Sequence, residues 1–271
     1  MIALVDGDIV QYRCAWASNN DPVGIAIART DEMIDQILND TKADTFEIYL
    51  SDDSTNNFRY QIDPTYKANR KNLARPVWYR EIKEHLFDKW NAELSLGMEA
   101  DDSLGIQQTK YNADSGLDCN TGEESIICSI DKDLMQIPGN HYNFVKKQFH
   151  TVEFIDGTRQ LYLQLLIGDT SDNVKGVMGI GPVKAGKLLN HITNKYQMFE
   201  VVRDLYNDDE RLLKNGQLLY IRRRDDEIWT FPSKQVKPMS QGGGPVQLSI
   251  PLMPRELTQS TVPIGAGMVG L

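Results

Sequence analysis

Short apolar runs alternate along this chain with longer stretches of helical period. Residues 2–5, Ile-Ala-Leu-Val, are uniformly apolar, as in a strand covered on both faces, and stop at Asp6-Gly7-Asp8, where the glycine permits a sharp turn. Thr30 is placed to cap a helix over 31–39, with Met33, Ile34, Ile37 and Leu38 facing inward. Phe46, Ile48 and Leu50 then alternate with polar neighbours and end at Ser51-Asp52-Asp53, a second strand. Trp78, Ile82, Leu86 and Trp90 recur at helical spacing as a packing stripe, and a helix over 103–111 follows Glu99-Ala100-Asp101-Asp102. A third apolar run, 125–130, ends in Asp131-Lys132-Asp133. Further helices are expected over 159–167, 183–189, 196–206 and 210–221. Strands alternating with helices predict an α/β fold with a mostly parallel central sheet.

The acids have a place in that sheet. Ligands gather beyond the carboxyl ends of parallel strands, and three strand ends here are acidic. Glu99, Asp101 and Asp102 join them, and Asp169 and Asp172 follow where the helix over 159–167 breaks at Gly168. A lone acidic first turn is explained by the helix dipole, but repetition at one topological place is not. Carboxylates this close repel one another, so a fold keeps them where divalent cations make the crowding favourable. Mg2+ or Mn2+ suits a donor set made only of oxygen.

Cations lie beside these acids. Residues 58–71 set Arg59, Lys67, Arg70 and Lys71 among Phe58, Tyr60 and Tyr66. A solvated amphipathic segment accounts for such a stretch in isolation. Next to an anionic site it also suits phosphate: arginine grips it bidentately, lysine acts as a point charge, and rings offer stacking faces. Gly176-Val-Met-Gly179-Ile-Gly181-Pro182 then runs into the helix over 183–189, a helix-hairpin-helix pattern that presents backbone amides and a helix N-terminus to phosphate. Such a unit reads backbone and shape rather than bases.

Two other motifs fail on inspection. Gly181 to Lys187 imitates a nucleotide-binding loop, but Leu188 replaces its hydroxyl residue, Pro182 falls inside it and no apolar strand precedes it. Asp131 to Gln136 lacks the fifth-position oxygen ligand and sixth-position glycine of an EF-hand.

Composition then narrows the class. A chain of 271 residues, 41% of them hydrophobic, can bury a sizeable core. Its three cysteines and four histidines show neither disulfide nor zinc spacing, and no run is long enough to span a membrane, so a cytoplasmic protein without membrane contact is expected. The net charge of −9 argues against a nucleic-acid partner only if the acids are solvated; nine candidate metal ligands would account for all of it. Residues 232–271 hold six of the 11 prolines and the Gly242–Gly244 run, a flexible tail with scattered apolar residues for a partner.

Six motifs occur in order: Leu-Val-Asp6-Gly; Phe58-Arg59 with Pro64-x-Tyr66-Lys67-Ala-Asn69-Arg70; Glu99-Ala-Asp101-Asp102; Asp131-Lys-Asp133; Gly168-Asp169-x-Ser-Asp172-Asn; and Gly176-Val-x-Gly-Ile-Gly. Together they resemble the flap-endonuclease-like 5′ nuclease superfamily. The likeness is greatest to the 5′ exonucleases of short-tailed coliphages and to the 5′ nuclease domain of bacterial DNA polymerase I, and covers residues 2–230.

The resemblance implies a PIN-like α/β core over 1–158, with a helical arch at about 63–98, a helix-hairpin-helix subdomain over 159–231, and the tail. It assigns two Mg2+, with Mn2+ as a substitute, to Asp6, Asp52, Glu99, Asp101, Asp102, Asp131 and Asp133, completed by Asp169 and Asp172. Lys67 and Arg70 are implied at the scissile phosphate; Arg59, Tyr66, Lys71, Gly179, Gly181, Lys184 and Lys187 are the further candidates for DNA contact. The hairpin is implied to hold K+ through backbone carbonyls. Asp53 competes with Asp52, Asp8 is an acid without an assigned role, and Val183 stands where related hairpins carry lysine.

The implied activity is 5′-to-3′ exonucleolytic cleavage of duplex DNA, with flap cutting and removal of RNA from RNA–DNA hybrids, by a monomer in phage replication, recombination and host DNA breakdown. The tail would then meet a replication protein. A non-catalytic DNA-binding protein on the same fold should have lost ligands, whereas all nine positions are acidic. A single-strand PIN-type ribonuclease has no need of a duplex-gripping hairpin.

Overall fold

A computed structural model describes residues 1–52, 56–70, 73–114 and 124–233. Its centre is β1 (Ile2–Asp6), the uniformly apolar run, buried throughout. β2 (Thr45–Ser51) and β4 (Ser125–Cys128) pair with it in parallel on either side; β3 (Glu93–Ser95) extends the sheet beyond β2, and β5 (Gly139–Asn143) extends it beyond β4. β6 (Gln148–Val152) returns antiparallel at the edge, giving the order β3-β2-β1-β4-β5-β6. The sheet is therefore mostly parallel, as the alternation of elements requires.

Side chains of a strand alternate between faces, and β1 shows the consequence. Ala3 and Val5 join one core with Ile48, Leu50, Ile34 and Ile37, under α1 (Gly7–Ala17), α2 (Val23–Thr41) and α4 (Tyr79–Trp90). Ile2 and Leu4 join the other with Ile127, Leu104 and Leu134, under α5 (Ala100–Asp114). Between these helices a single turn, α3 (Phe58–Ile62), packs against the C-terminal region. Gly7 turns the chain from β1 into α1 at a place where a Cβ would stand 2.5 Å from the Tyr49 carbonyl oxygen, so only glycine lets α1 lie this close to β2.

A third cluster belongs to the C-terminal half. Leu161, Leu165 and Leu166 of α6 (Phe154–Ile167) meet Leu189 of α7 (Pro182–Leu189), Phe199 and Val202 of α8 (Lys195–Tyr206), Leu212 of α9 (Asp209–Leu219), and Trp229. The small antiparallel pair β7 (Gly168–Asp169) and β8 (Val174–Lys175) joins α6 to the hairpin before α7.

Two expectations change. Thr30 does not start a helix: it lies buried inside α2, its hydroxyl satisfied by donating to the Ala26 carbonyl 2.9 Å away. The stretch 63–98, expected to arch over the site, gives α4 and β3 to the core layer, because Ile82, Leu86 and Trp90 are buried against α1, α2 and β2. The tail from residue 234 onward lies outside the described residues, and among those residues no helix is long and apolar enough to cross a membrane.

Candidate active site

The strand order reverses between β1 and β4, the place where an open parallel sheet leaves a crevice at its carboxyl edge. Asp6 ends β1 there and caps α1, accepting from the Ile9 amide at 3.1 Å; the Ser129 hydroxyl donates to its other oxygen at 2.6 Å. Asp8, in the first turn of α1, accepts from the Ser51 amide at 3.0 Å. Asp101 sits in the first turn of α5, and Asp131 accepts from the Asp133 amide in the turn after β4. These elements enclose a cavity of about 160 Å3 whose lining includes Asp6, Asp8, Glu99, Asp101, Asp131, Asp133 and Asp172 together with Lys67 and Arg70.

Seven carboxylates around one small cavity strain their own ionisation. Burial and then the Asp8 charge push Asp6 up to about 7; burial and the charge of Asp131 push Asp133 up to about 6, against the opposing Lys132. Asp101 is raised by burial and by Asp6, Asp131 and Glu99, and Asp8 by burial, with Glu99 adding to it against the hydrogen bonds from Ser51. Glu99 goes the other way. Its burial is outweighed by Lys67 and Arg59, which hold it down at about 2.

The basic side of the cavity is as constrained as the acidic one. Lys67 adopts a left-handed backbone, φ 53°, strained for a residue with a Cβ and fixed by its amide donating to the Asp172 carbonyl at 3.0 Å. Its ammonium lies 2.6 Å from Glu99 and 3.8 Å from Asp172. Arg70 donates to the Asp172 carboxylate and the Ser171 carbonyl, each at 2.8 Å. Asp169 adjoins this corner: it accepts from the Ser171 amide and hydroxyl and the Asp172 amide, and these bonds offset its burial and hold it below its ordinary value.

The donor set fits a hard divalent cation: every acidic group on the cavity is a carboxylate, with no thiolate or imidazole, and their mutual repulsion is what a cation would relieve. Among the described residues no three His, Cys, Asp or Glu side chains stand close enough to share an ion.

Residues 1–160 match the family model of the 5′-3′ exonuclease, N-terminal resolvase-like domain. The chain belongs to the 5′-3′ exonuclease family. It is 30% identical over 259 residues to a 5′-3′ exonuclease of Buchnera aphidicola, covering 87% of this chain and 84% of that one. It is 28% identical over 171 residues to flap endonuclease Xni of a Shewanella species, covering 59% of this chain and 63% of the relative. A bacteriophage T5 flap endonuclease, solved as a complex with DNA and metal ions, shares the fold with a TM-score of 0.57 at 19% identity, over 80% of this chain and 88% of that chain. This 5′-3′ exonuclease is accordingly a DNA nuclease, and its sheet and helices match a PIN-like fold.

Its structure redistributes several of the candidate roles. Asp6, Glu99, Asp101, Asp131, Asp133 and Asp172 come together on the cavity, and Asp169 stands at its margin. Asp102 does not join them. At 0% exposure it is locked to Arg59 through bonds of 2.5 and 2.9 Å and accepts from the Arg222 and Glu99 amides. Arg59, 2% exposed, spends its remaining donors on the Leu218 and Tyr220 carbonyls, so it is a buried brace rather than a DNA contact. Tyr66 is likewise buried, its hydroxyl donating to Asp172 at 2.9 Å, and it positions that carboxylate. Asp52 turns to the Gly97 amide at 3.4 Å and is absent from the lining, whereas Asp8 is part of it. A signal for Asp8 was present: it lies two residues past Asp6 across a strand-to-helix turn, where both face one crevice. Lys71 and Asp53 lie outside the described residues.

The loop before α7 is built on two glycines. Gly179 takes φ +76°, open to glycine at no steric cost, and Ile180 anchors the loop in the C-terminal cluster while Met178 is 97% exposed. Gly181 caps α7 without a side-chain bond, with Pro182 as its first residue. Lys184 and Lys187, three apart on α7, are both exposed.

Proposed function

We propose that this exonuclease hydrolyses phosphodiester bonds at the seven-carboxylate cavity with two divalent cations, Mg2+ or Mn2+, beginning from the 5′ end of duplex DNA. The observation that carries the reading is the convergence of Asp6, Asp8, Glu99, Asp101, Asp131, Asp133 and Asp172 at the sheet's switch point, facing Lys67 and Arg70. Ions bound by these acids would supply an activated water and charge for the attacking and leaving oxygens of an in-line displacement.

The protein's own contributions follow from its contacts. Lys67 and Arg70 are now neutralised by Glu99 and Asp172. Glu99 and Asp172 would help hold the cations, and Lys67 and Arg70 stand where they can donate to phosphate oxygens, a preorganised donor being worth about 2.7–4 kcal/mol in the transition state. Tyr66, buried beneath, fixes Asp172; Lys67's strained backbone keeps the ammonium at the cavity. The loop with Gly179 and Gly181 and the exposed Lys184 and Lys187 grips duplex phosphate, and its backbone carbonyls would be the groups to hold K+.

Flap cutting and removal of RNA from RNA–DNA hybrids are related activities of the same site, since nothing in it depends on reading bases. In a phage infection a cytoplasmic monomer of this kind serves primer removal, recombination and host DNA breakdown, with the tail free to meet a replication protein. The test follows 5′-labelled and 3′-labelled duplexes, with and without a 5′ flap, in Mg2+ and in EDTA, for wild type and Asp101→Asn. Mg2+-dependent release from the 5′ side, lost in the variant, is expected; tight binding without cleavage in either Mg2+ or Mn2+ would overturn the reading.

A further inference from the structure

Asp131 lines a second cavity besides the carboxylate one. This groove, about 440 Å3, lies between the turn after β4, the β5–β6 hairpin and α6. The topology fixes its direction. β5 runs parallel to β4 and ends at Asn143, and β6 starts back at Gln148, so the hairpin tip stands on the same edge of the sheet as the acids. Neighbouring strands are about 4.8 Å apart, which puts the tip only one or two strand spacings from the turn that carries Asp131.

The groove's lining suits a strand of nucleic acid. Ile130, Met135 and Val152 give apolar surface, while Lys132, Lys146 and His150 give cations and N–H donors. Lys146 and His150 are exposed, and neither makes an ion pair among the described residues. Lys132 reaches Asp133 at 2.7 Å from a side chain that is otherwise in solvent, so it joins the groove to the carboxylate cavity. The remaining acid on the wall, Asp156, is paired with Arg159. In a chain of net charge −9, donors held free at the margin of an acidic site call for an anionic ligand.

We propose that this groove binds the sugar-phosphate backbone of the DNA strand immediately beside the scissile phosphate, with Lys146 and His150 as its phosphate contacts. The assignment rests on the nuclease reading above and adds a substrate-positioning site to it.

The experiment measures binding of a 5′-flapped duplex in EDTA across a salt series, and cleavage in Mg2+, for wild type, Lys146→Ala, His150→Ala, Lys146→Arg and the control Lys110→Ala. Lys110 lies toward the far end of α5, whose Gln108 bonds to Ser125 and Asn140 at the opposite edge of the sheet. Each Ala variant in the groove is expected to raise the dissociation constant about fivefold, equivalent to ~1 kcal/mol, with kcat unchanged. The slope of log K against log salt should fall by about 0.7–0.9 for Lys146→Ala, while Lys146→Arg and Lys110→Ala match wild type. Neutral methylphosphonate linkages, placed singly at successive positions on both sides of the cleaved bond, then locate the contact. At one position the penalty seen in wild type should vanish in Lys146→Ala. If wild type cuts but the Ala variants keep its affinity and salt slope, or the penalty persists at every position, the groove is not a strand site and the nuclease reading stands. If wild type neither binds nor cuts any DNA, both fall together.

Discussion

Breaking the Arg59–Asp102 pair should unfold the protein rather than disarm it. Arg59 donates to both oxygens of Asp102, at 2.5 and 2.9 Å, and to the Leu218 and Tyr220 carbonyls at 2.8 and 2.9 Å, all inside the protein. Arg59→Met leaves a buried carboxylate with two amide donors and no ion-pair partner, only the charge of Arg222 nearby, and strips two carbonyls of their partner. Removing one member of such a pair typically costs about 3–5 kcal/mol. In domains of about 150–250 residues each kcal/mol typically lowers Tm by roughly 2–4 °C, so the loss is large and measurable. Asp102→Asn should lose a similar amount, and the double replacement Arg59→Met/Asp102→Asn should recover part of it, because it buries no unpaired charge. Urea unfolding in EDTA, followed by circular dichroism, provides the cycle. Asp101→Asn is the contrast: burial and three neighbouring acids already disfavour its charge, so its stability in EDTA should match or exceed wild type. Additive losses across the cycle, or an Asp102→Asn that stays within about 1 kcal/mol of wild type while losing metal affinity, would refute the brace and return Asp102 to the ligand set.

The other predictions concern ionisation and the cavity. Burial holds His141 down at about 4, against 6.5 unfolded, so between those values the unfolded chain binds a proton that the folded one does not. Stability should therefore fall as pH drops from about 6.5 toward 4, by about 2 kcal/mol at pH 5 from this group; urea midpoints should show this for wild type and less of it for His141→Gln. Mg2+ at about 100 times its dissociation constant should raise stability by about 2.7 kcal/mol in thermal unfolding. Asp8→Asn should shrink that gain and Asp52→Asn should leave it; the opposite pattern would restore Asp52 to the cavity. Lys67→Ala should lower kcat on a flapped duplex by about 100-fold or more, as for loss of one preorganised donor, with a small change in DNA affinity; a change confined to affinity would make Lys67 a binding residue only.

What the sequence shows of the site is what is local. The apolar run Ile2–Val5 followed by Asp6-Gly7, and the run before Asp131, carry both the strand and its acidic end in a few residues, and they lie side by side in the sheet. Asp102 and Arg59 could not be sorted this way. The carbonyls that bury Arg59 come from 159 and 161 residues further on, and without them an acid in a Glu-Ala-Asp-Asp run reads like its neighbours. Tyr66 misleads for the same reason, since its hydroxyl partner is 106 residues away. β5 and β6 escaped the pattern because their sequences, Gly-Asn-His-Tyr-Asn and Gln-Phe-His-Thr-Val, carry few apolar residues: β6 is an edge strand exposed along most of its length. Thr30 has the chemistry of a cap, yet a threonine inside a helix can spend its hydroxyl on the carbonyl one turn back, and tertiary burial of Ala26 and Ile34 on either side decides for that.

The acidic composition, at first sight an obstacle to holding DNA, follows from where the fold stores its charge. Asp6, Asp102 and Asp169 are buried, and Glu99, Asp101, Asp133 and Asp172 face a small cavity. Little of this charge reaches a passing phosphate directly. Exposed cations stand on neighbouring elements: Arg70 beside Asp172, Lys132 in the turn after β4, Lys146 at the tip of the β5–β6 hairpin, and Lys184 and Lys187 on α7. Ions bound among the cavity acids would take up their repulsion and leave these exposed cations to face a polyanion. Net charge therefore says little about the partner of this enzyme. The separation of buried acids from exposed bases does, and it arises because the acids sit on strand ends and first helical turns, while the bases sit on a hairpin tip, a short helix and the strained turn at Lys67.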